Sequence, residues 1–364
     1  MKYFLIAVSF VSLLLSGCSS NTKSSVDTKK SNSIQNTSVN APFTGKNSRL
    51  IGRFDKSTSG EAKFTWPGSA IEFRFEGTQA SIGIASTDKT RFALDVEGQT
   101  KDFWTEQGNK VYTLISNLPK GTHTIRLTRV NESTAGITSF TSDPQTDGKL
   151  LTPPAAPNRK LLVIGDSITA GYGVEGANQS CHYTLDTSTQ QLTYAALAAK
   201  SLDADLHAIA WSGIGAWRSY GEKTPINPSM IVRHTRTLAD DINSKWNAQE
   251  YQPNAVLINI GTNDYWEGSV SNDYRDAMTK LIAQVQADYP NKPIYLIVSP
   301  MLGEKVHIAQ KQVLESLAKG NIKVFDLGEN NGSEGFGCDY HPNLTTHTRL
   351  AKALEANLKS ELNW

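Results

Sequence analysis

The sequence has few cysteines, almost no net charge and one long apolar run. Its 364 residues include three cysteines, and 36 basic side chains nearly balance 35 acidic ones. Without an excess of one charge, the chain is not expected to attract nucleic acid or an acidic polymer. Beyond the N-terminus no apolar run is long enough to cross a bilayer. The length and the ordinary composition therefore indicate a globular protein of about two domains, once a processed end is set aside.

Sequence motifs for phosphates and metals are also missing. The first parallel strand predicted below is followed by neither Gly-x-Gly-x-x-Gly nor Gly-Lys-Ser/Thr. Four scattered histidines are not spaced, relative to one another or to carboxylates, as the ligands of a metal site would be. These are His182, His207, His234 and His307. We therefore expect no metal.

The apolar run at residues 4–15 belongs to a targeting segment. It follows a lysine and ends in Leu15-Ser16-Gly17-Cys18. This order is typical of a secretory signal, and the last four residues resemble the lipobox of bacterial lipoproteins. The resemblance implies removal of residues 1–17 and diacylation of the Cys18 thiol. An ordinary signal peptide with an incidental cysteine is the alternative.

Residues 18–45 are rich in Ser, Asn, Thr and Lys and have almost no large apolar side chain. Such a segment cannot bury enough surface to fold, so it predicts a flexible tether. Together with the signal, it predicts an exported bacterial lipoprotein. The folded part would then be held on the periplasmic face or the cell surface through the lipid at Cys18.

The two remaining cysteines are Cys181 and Cys338. An even pair in an oxidising compartment favours a disulfide, and two free buried thiols are the alternative. Cys338 precedes His341 by three residues, so a bridge would brace the loop that carries this histidine.

Short strands of alternating polarity dominate residues 46–150. The segment from Ile71 to Glu76 alternates strictly, and Phe92, Leu94 and Val96 repeat the pattern. Turn signals separate the strands and helical periods are absent, which predicts a β-sandwich. No catalytic cluster is visible in this stretch.

Strands alternate with helices in residues 158–364. This order predicts a parallel five-stranded sheet with helices on both faces, a three-layer α/β domain. The predicted strands lie at 161–164, 206–210, 255–260, 294–298 and 322–325. The predicted helices lie at 192–202, 230–246, 274–289, 306–318 and 344–362.

Polar turns follow these strands at the sheet edge where α/β proteins place their sites. The first strand leads into Gly165-Asp166-Ser167, in which Ser167 is either a nucleophile or merely the cap of the next helix. The other turns supply what a nucleophile needs: Gly213, Asn263 and His341.

These residues together fit acyl transfer. Ser167 would attack an ester carbonyl, and His341 would remove its proton. The backbone N–H groups of Ser167 and Gly213 and the side-chain amide of Asn263 would bind the oxyanion.

The four blocks resemble those of the SGNH (GDSL-like) hydrolase superfamily. They are Gly165-Asp166-Ser167, Gly213, Gly261-Thr262-Asn263-Asp264 and His341-Pro342. The segments 164–173, 73–77 and 118–124 look more closely like carbohydrate esterase family 2. That resemblance implies a jelly-roll-like β-sandwich before the SGNH domain, and removal of acetyl groups from xylan or glucomannan without metal or cofactor.

The sequence departs from the SGNH pattern at the residue that orients the histidine. Many members carry Asp three residues before the His, where this chain has Cys338. Asp339 is our predicted third catalytic residue, and a main-chain carbonyl that holds His341 is the alternative. Tyr265 and Trp266 follow the Asn263 turn and are the predicted substrate-binding residues. Asp166 and Asp264 are expected to have structural roles.

The predicted function is removal of O-acetyl groups from a polysaccharide through a serine acyl-enzyme. One alternative is an esterase on other short acyl esters or on cell-wall acetyl groups. Another is a carbohydrate-binding lipoprotein whose hydrolase domain is inert.

Overall fold

A computed structural model of the chain describes residues 41–267 and 272–364. The predicted signal peptide, Cys18 and most of the predicted tether lie outside these residues.

The first part of the described chain is a sandwich of two antiparallel sheets. The strands are β1 (Ser48–Ile51), β2 (Ala62–Phe64), β3 (Ala70–Gly77), β4 (Ala80–Ser86), β5 (Thr90–Val96), β6 (Gln99–Thr105), β7 (Gly108–Ile115), β8 (Gly121–Arg129), β9 (Thr138–Phe140), β10 (Gln145–Thr146) and β11 (Lys149–Leu151). One sheet has the order β1-β3-β8-β5-β6, and β11 also pairs with β3. The other has the order β10-β4-β9-β2, and β7 also pairs with β4.

The alternating side chains of β3 explain this packing. Ile71, Phe73 and Phe75 are fully buried between the sheets, while Arg74 and Glu76 on the same strand are exposed. A two-residue period suits a sheet with one face in the core. Aromatic rings dominate this core and pack in tilted pairs such as Phe64 and Phe140, whose centroids are 4.8 Å apart.

The sandwich starts a few residues earlier than the predicted boundary at 46. Phe43 is buried among the core residues, and its N–H donates to the carbonyl of Gly60. Thr44 also donates to the Asp143 carboxylate. The last residues of the predicted tether are therefore part of the fold, because an apolar ring is available there to fill the core.

The second part contains a parallel sheet of order β13-β12-β14-β15-β16. Its strands are β12 (Arg159–Gly165), β13 (Ala204–Ala210), β14 (Ala255–Asn259), β15 (Ile294–Ile297) and β16 (Ile322–Phe325). All five coincide closely with the predicted strands. The side chains of β14 and β15 are buried on both faces of the sheet along the whole strand, which explains their continuous apolar sequence.

Helices cover both faces of this sheet and produce the predicted three layers. They are α1 (Ser167–Ala170), α2 (Tyr194–Ser201), α3 (Met230–Arg233), α4 (Asn272–Asp288), α5 (Glu304–Leu317) and α6 (Leu344–Leu362). Leu161 and Val163 of β12 lie in one buried cluster with α2 and α6. Leu162 and Ile164 lie in the other, with α4 and α5. Among the described helices, none is both long and apolar enough to span a membrane.

The predicted helix over 230–246 is wrong beyond its first turn. The chain leaves the helix after Arg233, and the carbonyls of His234 and Arg236 accept hydrogen bonds from the guanidinium of Arg53 in the sandwich. The Trp66 indole N–H also donates to the Arg236 carbonyl, at 3.3 Å. These carbonyls bind the neighbouring domain instead of continuing a helix, and sequence periodicity does not reveal such a competitor.

The two domains meet along an interface that is part of the core. Trp66 is 1% exposed and belongs to the same buried cluster as β12 and α4. In the same interface, the Gly52 N–H donates to Nε2 of His207 at 2.9 Å. The sandwich therefore forms one compact unit with the parallel-sheet domain.

Candidate active site

The nucleophile turn begins where β12 ends. Gly165 is required here because a Cβ at this position would lie 2.0 Å from the Thr169 hydroxyl oxygen. Asp166, not Ser167, caps α1: its carboxylate accepts the N–H of Ile168 at 3.0 Å. The helix-cap alternative for Ser167 is therefore wrong, and its side chain is free for another role.

Ser167 and His341 come together across the sheet edge. Their Oγ and Nε2 atoms are 2.8 Å apart. His341 Nδ1 lies 3.2 Å from the Cys338 carbonyl and 3.1 Å from the Asp339 carbonyl. Because carbonyls only accept, Nδ1 carries the proton. Nε2 is then unprotonated, so it accepts the Ser167 hydroxyl proton as a general base requires.

The prediction that the Asp339 carboxylate orients His341 is wrong in this geometry. That carboxylate accepts from the Tyr172 hydroxyl at 2.6 Å and lies 2.8 Å from His182 Nδ1. Asp339 and Tyr340 have φ of 50° and 62°. This left-handed turn presents the main-chain carbonyls to the imidazole and directs the carboxylate away, so the carbonyl alternative describes the site.

Burial lowers the pKa of His341 below that of an exposed histidine. The hydrogen bonds to the two carbonyls and the charge of Asp339 oppose this shift. The imidazole is therefore poised in its neutral form at neutral pH.

The three predicted oxyanion donors line one cavity with His341. Gly213 has φ of 78°, a backbone conformation that glycine adopts without strain. Neither its N–H nor that of Ser167 has an acceptor among the described residues. Asn263 donates one amide hydrogen to the Ile214 carbonyl at 2.8 Å, which fixes the side chain and leaves a second hydrogen.

Asp264 holds the Gly213 loop from behind. Its carboxylate accepts the N–H groups of Ala216 at 2.9 Å, Trp217 at 2.7 Å and Arg218 at 3.1 Å. Burial raises its pKa to about 6 although these three hydrogen bonds oppose the shift. Asp264 thus has the structural role predicted for it, as does Asp166 at the helix cap.

The cavity above Ser167 has a volume of about 830 Å³. Trp266 lies on its lining, where its indole N–H donates to the Glu222 carbonyl and its ring is 5.4 Å from that of Tyr220. Tyr265 also lines the cavity, but it is 2% exposed and packs edge-on against Tyr274. Tyr265 therefore has no free ring face for a sugar, contrary to the prediction.

Sequence reasoning missed several groups at this site. Tyr172 stacks on His341 with ring centroids 4.2 Å apart. Tyr220 lines the cavity and is 68% exposed. His182 next to Cys181 had a usable signal, since a bridge from Cys181 to Cys338 brings it beside Asp339.

The structure joins Cys181 to Cys338 by a disulfide. The Cys338 carbonyl is one of the two acceptors for His341 Nδ1. The Asp339 N–H also donates to the Cys181 carbonyl at 3.0 Å. The bridge therefore braces the backbone that orients the catalytic imidazole.

The remaining histidines have other partners. His347 is fully buried and accepts the Tyr194 N–H, and burial lowers its pKa to about 3. His307 lies on α5 and contacts Asp326, which follows β16, and His234 binds the Met230 carbonyl. Within the described ranges, no group of three or more His, Cys, Asp or Glu side chains could hold a metal ion.

Family comparisons divide the chain at the same point as the fold. The "Carbohydrate esterase 2 N-terminal" family matches residues 50–154. The "GDSL-like Lipase/Acylhydrolase family" matches residues 163–349, which contain Ser167 and His341.

Known proteins resemble both parts together. A family two carbohydrate esterase of Clostridium thermocellum, solved in complex with cellohexaose, is 31% identical with a TM-score of 0.83, and the match covers 87% of this chain and 99% of that one. The cellulase/esterase CelE of Acetivibrio thermocellus is 34% identical over 86% of this chain, which spans 39% of that relative's length. An acetylxylan esterase/glucomannan deacetylase of Cellvibrio japonicus is 25% identical, with 82% of this chain and 85% of the relative covered.

Proposed function

The chain belongs to carbohydrate esterase family 2, and from this premise we propose that it is an acetyl esterase that deacetylates a polysaccharide. The observation that carries the proposal is the 2.8 Å contact between Ser167 Oγ and His341 Nε2 inside a cavity that also holds three oxyanion donors. Relatives named acetylxylan esterase/glucomannan deacetylase support an acetylated xylan or glucomannan as substrate.

In the acylation step the Ser167 oxygen attacks the acetyl carbonyl while its proton passes to His341 Nε2. The carbonyl oxygen gains negative charge in the tetrahedral intermediate. The N–H groups of Ser167 and Gly213 and the amide of Asn263 would stabilise this charge, and each such donor is typically worth about 100- to 1000-fold in rate. The bond to the sugar oxygen then breaks, and that oxygen takes the proton from Nε2.

Deacylation repeats these steps with water. His341 Nε2 removes a proton from the water molecule as its oxygen attacks the acetyl-enzyme. The intermediate collapses to acetic acid as its bond to Ser167 Oγ breaks and Oγ takes the proton from Nε2, and the released acid ionises to acetate. The Cys338 and Asp339 carbonyls would stabilise the imidazolium in both steps, since each accepts from Nδ1–H.

The aromatic groups at the cavity support a sugar substrate. Tyr220 lines the cavity with most of its side chain exposed, and Trp266 packs next to it. Aromatic faces bury the apolar face of a pyranose at little entropic cost. The cavity volume is within the range of about 300–1,000 Å³ usual for small-ligand sites.

The test is acetate release from acetylated xylan and acetylated glucomannan, with a long-chain aryl ester as comparison. We expect acetate from the polysaccharides, little cleavage of the long-chain ester, and loss of at least about 1000-fold in turnover for Ser167→Ala. Unchanged acetate release by that variant would refute the mechanism. Preference for the long-chain ester would identify a lipase instead.

We also propose that the enzyme is an exported lipoprotein anchored through Cys18. The order of lysine, apolar run and Leu15-Ser16-Gly17-Cys18 supports this. In a bacterial host, the full chain should fractionate with membranes and Cys18→Ser should not, while Cys181→Ser serves as the matched cysteine control. Membrane association that survives Cys18→Ser would contradict the proposal.

A further inference from the structure

One buried carboxylate of the sandwich reaches the loop that carries an oxyanion donor. Glu132 follows β8, is 4% exposed, and accepts the N–H of Ser212 through Oε2 at 2.9 Å. Ser212 directly precedes Gly213, whose own N–H is left for the oxyanion. Glu132 is thus a residue of the first domain that contacts the catalytic loop of the second.

The backbone that carries Glu132 is firmly held. The buried Arg129 guanidinium donates to the carbonyls of Asn131 and Glu132. The Asn131 side-chain amide crosses to the catalytic domain and donates to the Leu185 and Ser188 carbonyls. A carboxylate on such a support can act as a fixed acceptor, because it has little freedom to move.

Glu132 has no ion-pair partner among the described residues to explain its burial. The Arg129 guanidinium bonds to main-chain carbonyls and to the Thr138 hydroxyl, not to the Glu132 carboxylate. Burial raises the pKa of Glu132, and the hydrogen bond from Ser212 and the charge of Arg129 oppose this shift. A buried carboxyl is costly unless it is hydrogen-bonded, and the hydrogen bond that the Glu132 carboxylate accepts among the described residues comes from the Ser212 N–H.

The position of Ser212 matters for catalysis. Oxyanion donors must point at the place where charge develops, and a small displacement weakens them. Glycine at 213 makes this loop intrinsically permissive. Asp264 holds the loop on the C-terminal side of Gly213, at residues 216–218, and Glu132 holds it on the N-terminal side.

We propose that Glu132 is a positioning residue that acts through Ser212 to aim the Gly213 N–H at the oxyanion, so that the β-sandwich completes the catalytic site. This inference rests on the proposed esterase activity. It adds that the first domain serves catalysis as well as the stability of the fold.

The test measures kcat and KM for 4-nitrophenyl acetate with Glu132→Ala and Glu132→Gln. We expect Glu132→Ala to lower kcat and kcat/KM together by about 10- to 100-fold. This loss is smaller than that of a whole oxyanion donor, because the Gly213 N–H would be misaligned but still present. KM should change less than about 3-fold. Gln keeps an oxygen that can accept from Ser212, so it should restore activity to within about 5-fold of the wild type.

Asp205→Ala provides the matched control. Asp205 is also a buried carboxylate at the domain interface, where it pairs with Arg49 of the sandwich. It lies at the start of β13, whereas the Gly213 loop follows the end of that strand. We expect this variant to lower the melting temperature but to keep kcat within about 3-fold. If Glu132→Ala does not fold, Glu132→Asp, whose shorter side chain misses Ser212, replaces it with the same expected loss.

The proposal is overturned if Glu132→Ala keeps kcat within about 2-fold of the wild type, if Asp205→Ala loses as much, or if Gln is as impaired as Ala. Failure of the proposed esterase function would give different results. The wild type would then not hydrolyse the ester, or Ser167→Ala would hydrolyse it normally.

Discussion

At the scale of single residues, the catalytic histidine is controlled by main-chain groups. Two carbonyls fix its Nδ1 proton, and Tyr172 stacks on its ring. The nearby carboxylate of Asp339 binds Tyr172 and His182 instead. The protonation state of His341 therefore depends mainly on burial and backbone geometry.

Asp339→Asn separates the two ways of orienting the histidine. Asn tolerates the left-handed backbone at this position and leaves both carbonyls in place. We expect kcat/KM to fall by less than about 10-fold, against about 10,000-fold when the orienting carboxylate of a true triad is replaced by its amide. Hydrolysis of 4-nitrophenyl acetate measures this, with His341→Ala as the inactive control. A loss of several hundred-fold would restore Asp339 as the third catalytic residue.

The lowered pKa of His341 sets the acid limit of activity. The base works only when neutral, so kcat/KM should fall as pH drops through its pKa, and this limb should lie below the value of about 6.5 for an exposed histidine. The charge of Asp339 raises this pKa, so Asp339→Asn should move the limb further down. A limb at or above 6.5 in a pH–rate profile would contradict the argument.

At the scale of elements, the site is made from strand ends that hold one another. The Asn263-Asp264 turn after β14 binds the Gly213 loop after β13 through four hydrogen bonds, from the Asn263 amide and to the Asp264 carboxylate. The turn after β12 positions Ser167 through the Asp166 cap. Each motif therefore depends on its neighbours for its shape.

Asp264→Asn should damage both stability and activity. In the wild type three backbone N–H groups donate to this carboxylate, and the amide of Asn would face one or more of them with its own hydrogens. Each buried N–H left without an acceptor costs about 1–3 kcal/mol. We expect a lower free energy of unfolding in urea and a lower kcat. Asp147→Asn is the control, because Asp147 also accepts backbone N–H groups, those of Thr78 and Gln79, but is exposed in the sandwich. Equal effects of the two substitutions on kcat would disprove a specific role for Asp264.

At the scale of the whole molecule, the interface between the domains is a core. Trp66 of the sandwich is buried in the cluster that covers one face of the parallel sheet, and Arg53 binds the chain after α3. Two domains that share buried side chains in this way should unfold together.

Trp66→Ala should uncouple the two domains. The loss of a buried aromatic side chain costs about 3–5 kcal/mol, and here it opens the interface. We expect one calorimetric transition for the wild type and two, or one much broadened, for the variant. Trp104→Ala is the control, because Trp104 is a partly buried tryptophan on β6 of the sandwich, and this variant should keep a single transition. A single sharp transition in Trp66→Ala would show that Trp66 does not couple the domains.

The fold class, the five parallel strands and the candidates Ser167 and His341 could all be predicted from the amino-acid sequence. Period-two alternation and short apolar runs report which faces are buried, and this is a local property. The polar turns after the strands could be assigned to one site because carboxyl ends of parallel strands share an edge.

The groups that complete the site became evident from the three-dimensional packing alone. Whether Asp339 faces His341 depends on two consecutive left-handed residues, and whether 230–246 is a helix depends on Arg53 from the other domain. The approach of Glu132 to Ser212 joins residues 80 positions apart. Such contacts arise from packing between distant segments, so no local pattern in the sequence records them.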